Sequence, residues 1–211
     1  MKKIKEQILD KSLELFNTYG VSEVSIRQIA SDLNISHSNL IYHFKTKNDI
    51  LIALHNQLLD KALLLNQETK DNTDFIKGLL DSIRKGFEIL YQYRFFMINS
   101  NHVIRESKEL QQTFILIEKT RASMYRETIQ KAIEDGYMQN EEYKNEYNSF
   151  IEHIKIFSDS WIASSQIYDS HITDSQSIIE KYTVLFVKLF FPYLTKKGKQ
   201  EFIILLDRSK K

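Results

Sequence analysis

Residues 25–47 read SIRQIASDLNISHSNLIYHFKTK, with two helix starts inside 23 residues. Ser25 precedes Ile26 with Gln28 three residues on, a capping-box pattern that satisfies backbone N–H groups left free at a helix start. Ile29, Ala30 and Leu33 supply the apolar face of that helix, and Asn34 closes it. Ser36 opens a second helix at once, running through Leu40 and Ile41 to Phe44. Ala30 is small where two helices must cross closely, Ile35 points inward from the turn, and Leu40 and Phe44 anchor the second helix on the first. Two short helices joined by three or four residues form a helix-turn-helix, whose second helix fits the major groove of DNA. Outside remain Ser36, His37, Ser38, Asn39, Tyr42 and His43, with Lys45 and Lys47 past the end within reach of phosphate. The same residues also read as an ordinary solvated helix, and spacing alone leaves both readings open.

Working outward, residues 4–19 carry Ile4, Ile8, Leu9, Leu13, Leu15 and Phe16 mostly on one stripe, a helix stopped by Gly20. Thr46, with Asp49 three residues later, caps a connector helix over 47–67. The polar stretch 68–74 is the expected domain boundary, giving a DNA-binding unit over 1–50 and a helical unit over 68–211. In the latter, helical spacing predicts segments over 74–98, 101–106, 108–135 ending at Gly136, 142–168, 174–191 stopped by Pro192, and 196–206. The expected class is all-α: a three-helix DNA-binding domain with a helix-turn-helix, then a larger helical domain for ligand binding and dimerisation.

Composition agrees. One Pro and five Gly among 211 residues point to long helices rather than a turn-rich sheet. The absence of cysteine excludes disulfides and thiolate chemistry, and fits a reducing compartment. The N-terminus, MKKIKEQILDKSLELF, intersperses charge through its apolar positions and does not read as a secretory leader. Apolar runs such as FVKLFFPYL are too short for a membrane span, so the expected location is cytoplasmic. A net charge of +1 argues against nonspecific nucleic-acid packaging, though not against a local basic surface. His37, His43, His55, His102, His153 and His171 form no metal-binding pair on one helix of the second domain. No nucleophile motif or glycine-rich phosphate loop is present. No catalytic residue, metal or cofactor is expected.

The elements SLELFNTYG at 12–20, SIRQIA at 25–30 and NLIYHFKTK at 39–47 resemble, with matching internal distances over residues 4–54, the TetR family of bacterial regulators. The resemblance implies roles position by position. Ser25 matches a residue that meets a phosphate, and Arg27 one that touches DNA in some members. His37, Ser38 and Asn39 match the variable start of the recognition helix, which reads base edges. Tyr42 and His43 match residues that hold the DNA backbone, and Lys47 a lysine that grips a phosphate. Two departures bear on the operator: Ser38 replaces a common Gly, and Ile41 replaces a Tyr and is suited to packing on a thymine methyl. One short helix buries too little for tight specific binding, so geometry and resemblance both imply a homodimer on a near-palindromic double-stranded operator.

The second domain carries no diagnostic motif. The resemblance places a four-helix dimer interface in the segments 142–168 and 174–191, although an intramolecular core competes for the same residues. It also implies an effector pocket among the middle helices. The aromatic run YQYRFFMIN at 91–99 makes Tyr91, Phe95, Phe96, His102, Tyr125, His153 and Trp161 the candidates, suited to an apolar or aromatic small molecule. An aromatic stripe is equally core material. An anionic ligand would need Arg94, Arg121 or Arg126 turned inward. The leading expectation is a repressor released by its effector. A constitutive or protein-controlled DNA-binding regulator, and an all-helical binding protein or enzyme, are the rivals.

Overall fold

The computed structural model describes residues 3–69, 75–98 and 107–208. Ten α-helices follow in order among these residues: α1 Ile4–Tyr19, α2 Ile26–Asp32, α3 His37–His43, α4 Lys47–Thr69, α5 Phe75–Gln92, α6 Arg94–Ile98, α7 Lys108–Glu134, α8 Glu146–Tyr168, α9 Ser175–Lys188 and α10 Lys196–Arg208. A single 3₁₀ turn at Phe191–Tyr193 holds Pro192 where its missing N–H costs nothing. The segment 101–106, expected to be a short helix, lies outside the described residues, as does most of the 68–74 boundary.

The first interior forms beneath the helix-turn-helix. Ile8, Phe16, Ile29, Ala30, Leu40, Phe44, Ile50 and Leu54 are all buried in it. Gly20 ends α1 with φ 85°, a conformation that a Cβ would strain, and its N–H reaches the Phe16 carbonyl at 3.0 Å. Asn34, at φ 53°, turns the chain out of α2. The Ile35 N–H then returns to the Ala30 carbonyl and the Asn34 N–H to that of Ser31, both at 3.0 Å. This reciprocal pair satisfies two carbonyls that a helix end otherwise leaves free.

The second interior joins α5, α7, α8, α9 and α10. Phe87 stacks on Trp161 with ring centroids 4.8 Å apart, and Phe157, Tyr182 and Phe186 close round the pair. Polar clamps fix the helices at its margin. Arg84 on α5 donates from Nε and Nη2 to the two carboxylate oxygens of Glu180 on α9, at 2.8 and 3.1 Å. Lys155 on α8 pairs with Glu118 on α7, and Arg121 with Asp159 at 2.8 Å. Gly198 lets α10 approach the turn after α7, since a Cβ there would lie 2.5 Å from the Tyr137 carbonyl oxygen.

One expected element is corrected. The spacing over 74–98 predicts a single helix, but the chain breaks at Tyr93 into α5 and α6. The break turns Tyr93, Phe95 and Phe96 into the first interior, while Phe87 stays in the second. The segment read as one helix therefore contributes to both interiors.

Candidate nucleic-acid interface

The outward face of α3 is set by its inward one. Leu40 is buried against α2, and Phe44 just past α3 is buried as well, which fixes the rotation of the helix. Ser36, His37, Ser38, Asn39 and Tyr42 are thereby exposed, with Ile41 and His43 half-buried beside them. The Ser36 hydroxyl accepts the Asn39 N–H at 3.1 Å and lies 3.3 Å from the Ser38 hydroxyl. This cap holds the first turn in shape, and the helix start presents positive partial charge there. Tyr42 is 84% exposed, and its ring meets only the edge of His43, with centroids 5.2 Å apart.

Ser25 and Arg27 on the neighbouring α2 are exposed, as is Lys45. The Ser25 hydroxyl caps α2 by accepting the Gln28 N–H at 3.2 Å. Thr46 and Asp49 form a reciprocal capping box at the head of α4: the Thr46 N–H reaches the Asp49 carboxylate at 2.9 Å, and the Asp49 N–H the Thr46 hydroxyl at 3.1 Å. The Lys47 ammonium turns inward, donating to the carbonyls of Val21 at 2.7 Å and Val24 at 3.2 Å. Two of its three N–H groups thus pin α4 to the α1–α2 turn. Sequence spacing gave no hint that Lys5 on α1 places its ammonium 5.4 Å from the Phe44 ring centroid, beside the end of α3.

The candidate effector residues are not gathered into one lining. Tyr91 stacks on Trp161 at 6.1 Å, and half-buried Tyr125 packs on the same second interior. Phe95 and Phe96 instead lie in the first interior, Phe95 against Phe16 at 5.4 Å. His153 is exposed on α8, because Ile151 and Ile154 take the inward positions. His102 lies outside the described residues. Of the arginines, Arg94 covers the Tyr91 ring at 5.1 Å, whereas Arg121 and Arg126 bond Asp159 and Asn148. An open groove of about 930 Å³ beside the C-terminal half of α7 is lined by Arg126, Gln130, Glu134, Glu141, Tyr147 and Asn148, of which only Arg126 was weighed as a ligand contact.

One histidine that the spacing did not single out, His55, is buried. His55 on α4 lies between Phe96 on α6 and Phe114 on α7, at 5.4 and 4.3 Å, and its Nε2 has no hydrogen-bond partner. Burial pushes its pKa down to about 4, so the ring is neutral near pH 7. Among the described residues no group of three His, Cys, Asp or Glu side chains could hold a metal ion, and no helix is long and apolar enough to cross a membrane.

Comparison with known proteins accords with this geometry. The profile described as "Bacterial regulatory proteins, tetR family" matches residues 8–54, and that described as "Bacterial transcriptional repressor" matches residues 56–202. An uncharacterised HTH-type transcriptional regulator in the dhlA 5′ region of Xanthobacter autotrophicus is 31% identical over 98 residues, 43% of this chain and 48% of that protein. The match spans about half the length of that relative. A TetR-family regulator from Marinobacter aquaeolei VT8 superposes with a TM-score of 0.88 at 21% identity over 98% of both chains. FadR from Bacillus subtilis, solved in complex with stearoyl-CoA, gives a TM-score of 0.64 at 20% identity over 86% of this chain and 97% of its own. These similar proteins are transcriptional regulators rather than enzymes. With its two profiles covering both interiors, the chain belongs to the TetR family of bacterial regulatory proteins.

Proposed function

We propose that the protein is a dimeric, ligand-responsive repressor that binds a near-palindromic operator through α3 and leaves it when an apolar or aromatic small molecule binds the helical domain. One observation carries the DNA-binding part: a capped helix, fixed by the buried Leu40, presents five exposed residues rich in hydrogen-bonding groups. Ser36, His37, Ser38 and Asn39 are the base-edge readers in this reading, with Ile41 against a thymine methyl. Ser25, Arg27, Tyr42, His43, Lys45 and Lys47 hold phosphates.

The dimer is supported by α8. His153, Ile156, Ser160, Ala163 and Ile167 recur at alternating spacings of three and four, and Ile156 and Ile167 are 63% and 70% exposed. That periodicity makes a seam suited to a second helix. Leu185, 40% exposed on α9, extends the apolar surface. The effector class rests on the aromatic character of the Tyr91–Trp161 region, and a fatty-acyl ligand in FadR illustrates the apolar chemistry such a fold accommodates. The close Phe87–Trp161 stack favours a second reading, a regulator controlled without a small molecule, because stacked rings leave little room between them.

A gel-shift titration at fixed salt tests the proposal, using the protein's own upstream intergenic DNA and an unrelated duplex. Preferential formation of one discrete dimer complex supports it. Equal, weak binding to both duplexes, together with failure to enrich any sequence from a random duplex library, refutes sequence-specific regulation.

A further inference from the structure

The break between α5 and α6 exposes backbone groups that an unbroken helix would pair. Two of them are taken by one side chain from the other domain. Asn17 on α1 donates from Nδ2 to the Gln92 carbonyl at 2.8 Å, and its Oδ1 accepts the Phe95 N–H at 3.1 Å. A carboxamide suits the task because it carries a donor and an acceptor on one short planar group. Around it, Phe16 packs on Phe95, and Lys61 on α4 donates to the Gln92 side chain at 2.7 Å. Gln92 is therefore held through its main chain by α1 and through its side chain by α4. Tyr93, the residue at the break, is buried, with Lys61 over its ring at 5.4 Å.

We propose that Asn17 is a positioning residue for operator recognition: its carboxamide locks the helix-turn-helix unit onto the α5–α6 break and so sets the spacing of the two recognition helices in the dimer. α1 packs directly on α2 and α4, so a rotation of α1 about the break carries α3 with it. In the dimer, the two α3 helices must meet half-sites separated by a helical turn or a multiple, and small rotations displace them. The spacing part of this inference rests on the dimeric reading above. The locking of the two domains does not.

The chain has no cysteine, which allows site-specific spin labelling. Cysteines replacing the exposed Ser22 and Thr128 place one label on each domain. Labelled chains diluted in unlabelled protein report the intrachain distance by double electron–electron resonance. The expected result is one narrow distribution for the parent and for Thr18→Ala, whose hydroxyl bonds only the Glu14 carbonyl of its own helix in this structure. Asn17→Leu, similar in size but without hydrogen bonds, broadens and shifts it. If Asn17→Leu loses its helical circular dichroism, Asn17→Asp replaces it; this variant keeps the acceptor for Phe95 and loses the donor to Gln92. A variant distribution superimposable on the parent's, or a parent as broad as the variant, overturns the lock.

On a duplex enriched from a random library, the parent's preference for the optimal half-site spacing over one longer by a base pair falls about tenfold in the variant, roughly what one or two neutral hydrogen bonds are worth. Unchanged discrimination overturns the spacing role. Failure of the parent to enrich any duplex overturns the operator reading, and the distance measurement still judges the lock.

Discussion

The recognition helix packs inward through side chains adjacent in sequence to its outward-facing ones: Leu40 lies between Asn39 and Ile41, and Phe44 follows His43. The interior of the larger domain is assembled from rings on separate helices, Phe87 on α5, Trp161 on α8 and Phe186 on α9. In the first region one helical period turns Leu40 and Phe44 inward and Tyr42 outward, so packing and this exposed side chain can be altered apart. In the second, the same rings supply the packing and would have to supply the ligand surface. On the proposed function, contact with DNA is separable from packing at such a position, whereas contact with an effector is not.

The largest test removes a ring from the shared interior. Trp161→Ala is expected to cost about 3–5 kcal/mol in urea unfolding, by loss of the stack and the cavity left behind. A loss under about 1 kcal/mol would mean that the site is already loosely packed.

Against Phe96 and Phe114 of the first interior, the buried His55 makes stability depend on pH. The unfolded imidazole protonates near its ordinary 6.5, while the buried one resists until about 4. The unfolded chain therefore binds more protons between these values, and acidification through that window destabilises the fold by up to about 3 kcal/mol. Above pH 6.5 the contribution is constant. His55→Leu should flatten this part of the stability profile, and an unchanged profile would show that the ring is solvated.

Smaller effects separate cap from contact in the recognition helix. Ser36→Ala removes the hydroxyl that accepts the Asn39 N–H and should lower stability by about 1 kcal/mol. Tyr42→Ala should change stability by no more than about 0.5 kcal/mol while weakening duplex binding about tenfold or more. If Tyr42→Ala instead lowers the melting temperature as much as the serine change, its ring supports the fold, and the contrast between the regions fails.

The legibility of the chain follows the range of the interactions. Ser25, Gly20, Asn34, Ser36 and the Thr46–Asp49 pair act on backbone within a few residues, and each ends or starts a helix as its side-chain chemistry requires. The inward placement of Lys47 was not legible, because its acceptors, the carbonyls of Val21 and Val24, come from a distant turn. Phe95 and Phe96 fall within the segment 74–98 that reads as one helix, and the spacing does not mark the break that sends them to another interior. His153 and Trp161 lie on one helix at a spacing of eight residues, and the packing of α8 puts one outside and the other within.

The all-helical class, the helix-turn-helix and the outward polar set of α3 are written in local sequence, since they rest on capping chemistry and a 3.6-residue period that act within one or two turns. Long-range packing sets where the aromatic run divides, encloses His55 between Phe96 and Phe114, and brings Asn17 to the ends of two helices in the other domain. Those outcomes depend on which helices meet and at what rotation, and a local pattern of apolar and polar residues does not encode which partner fills the other side of a face.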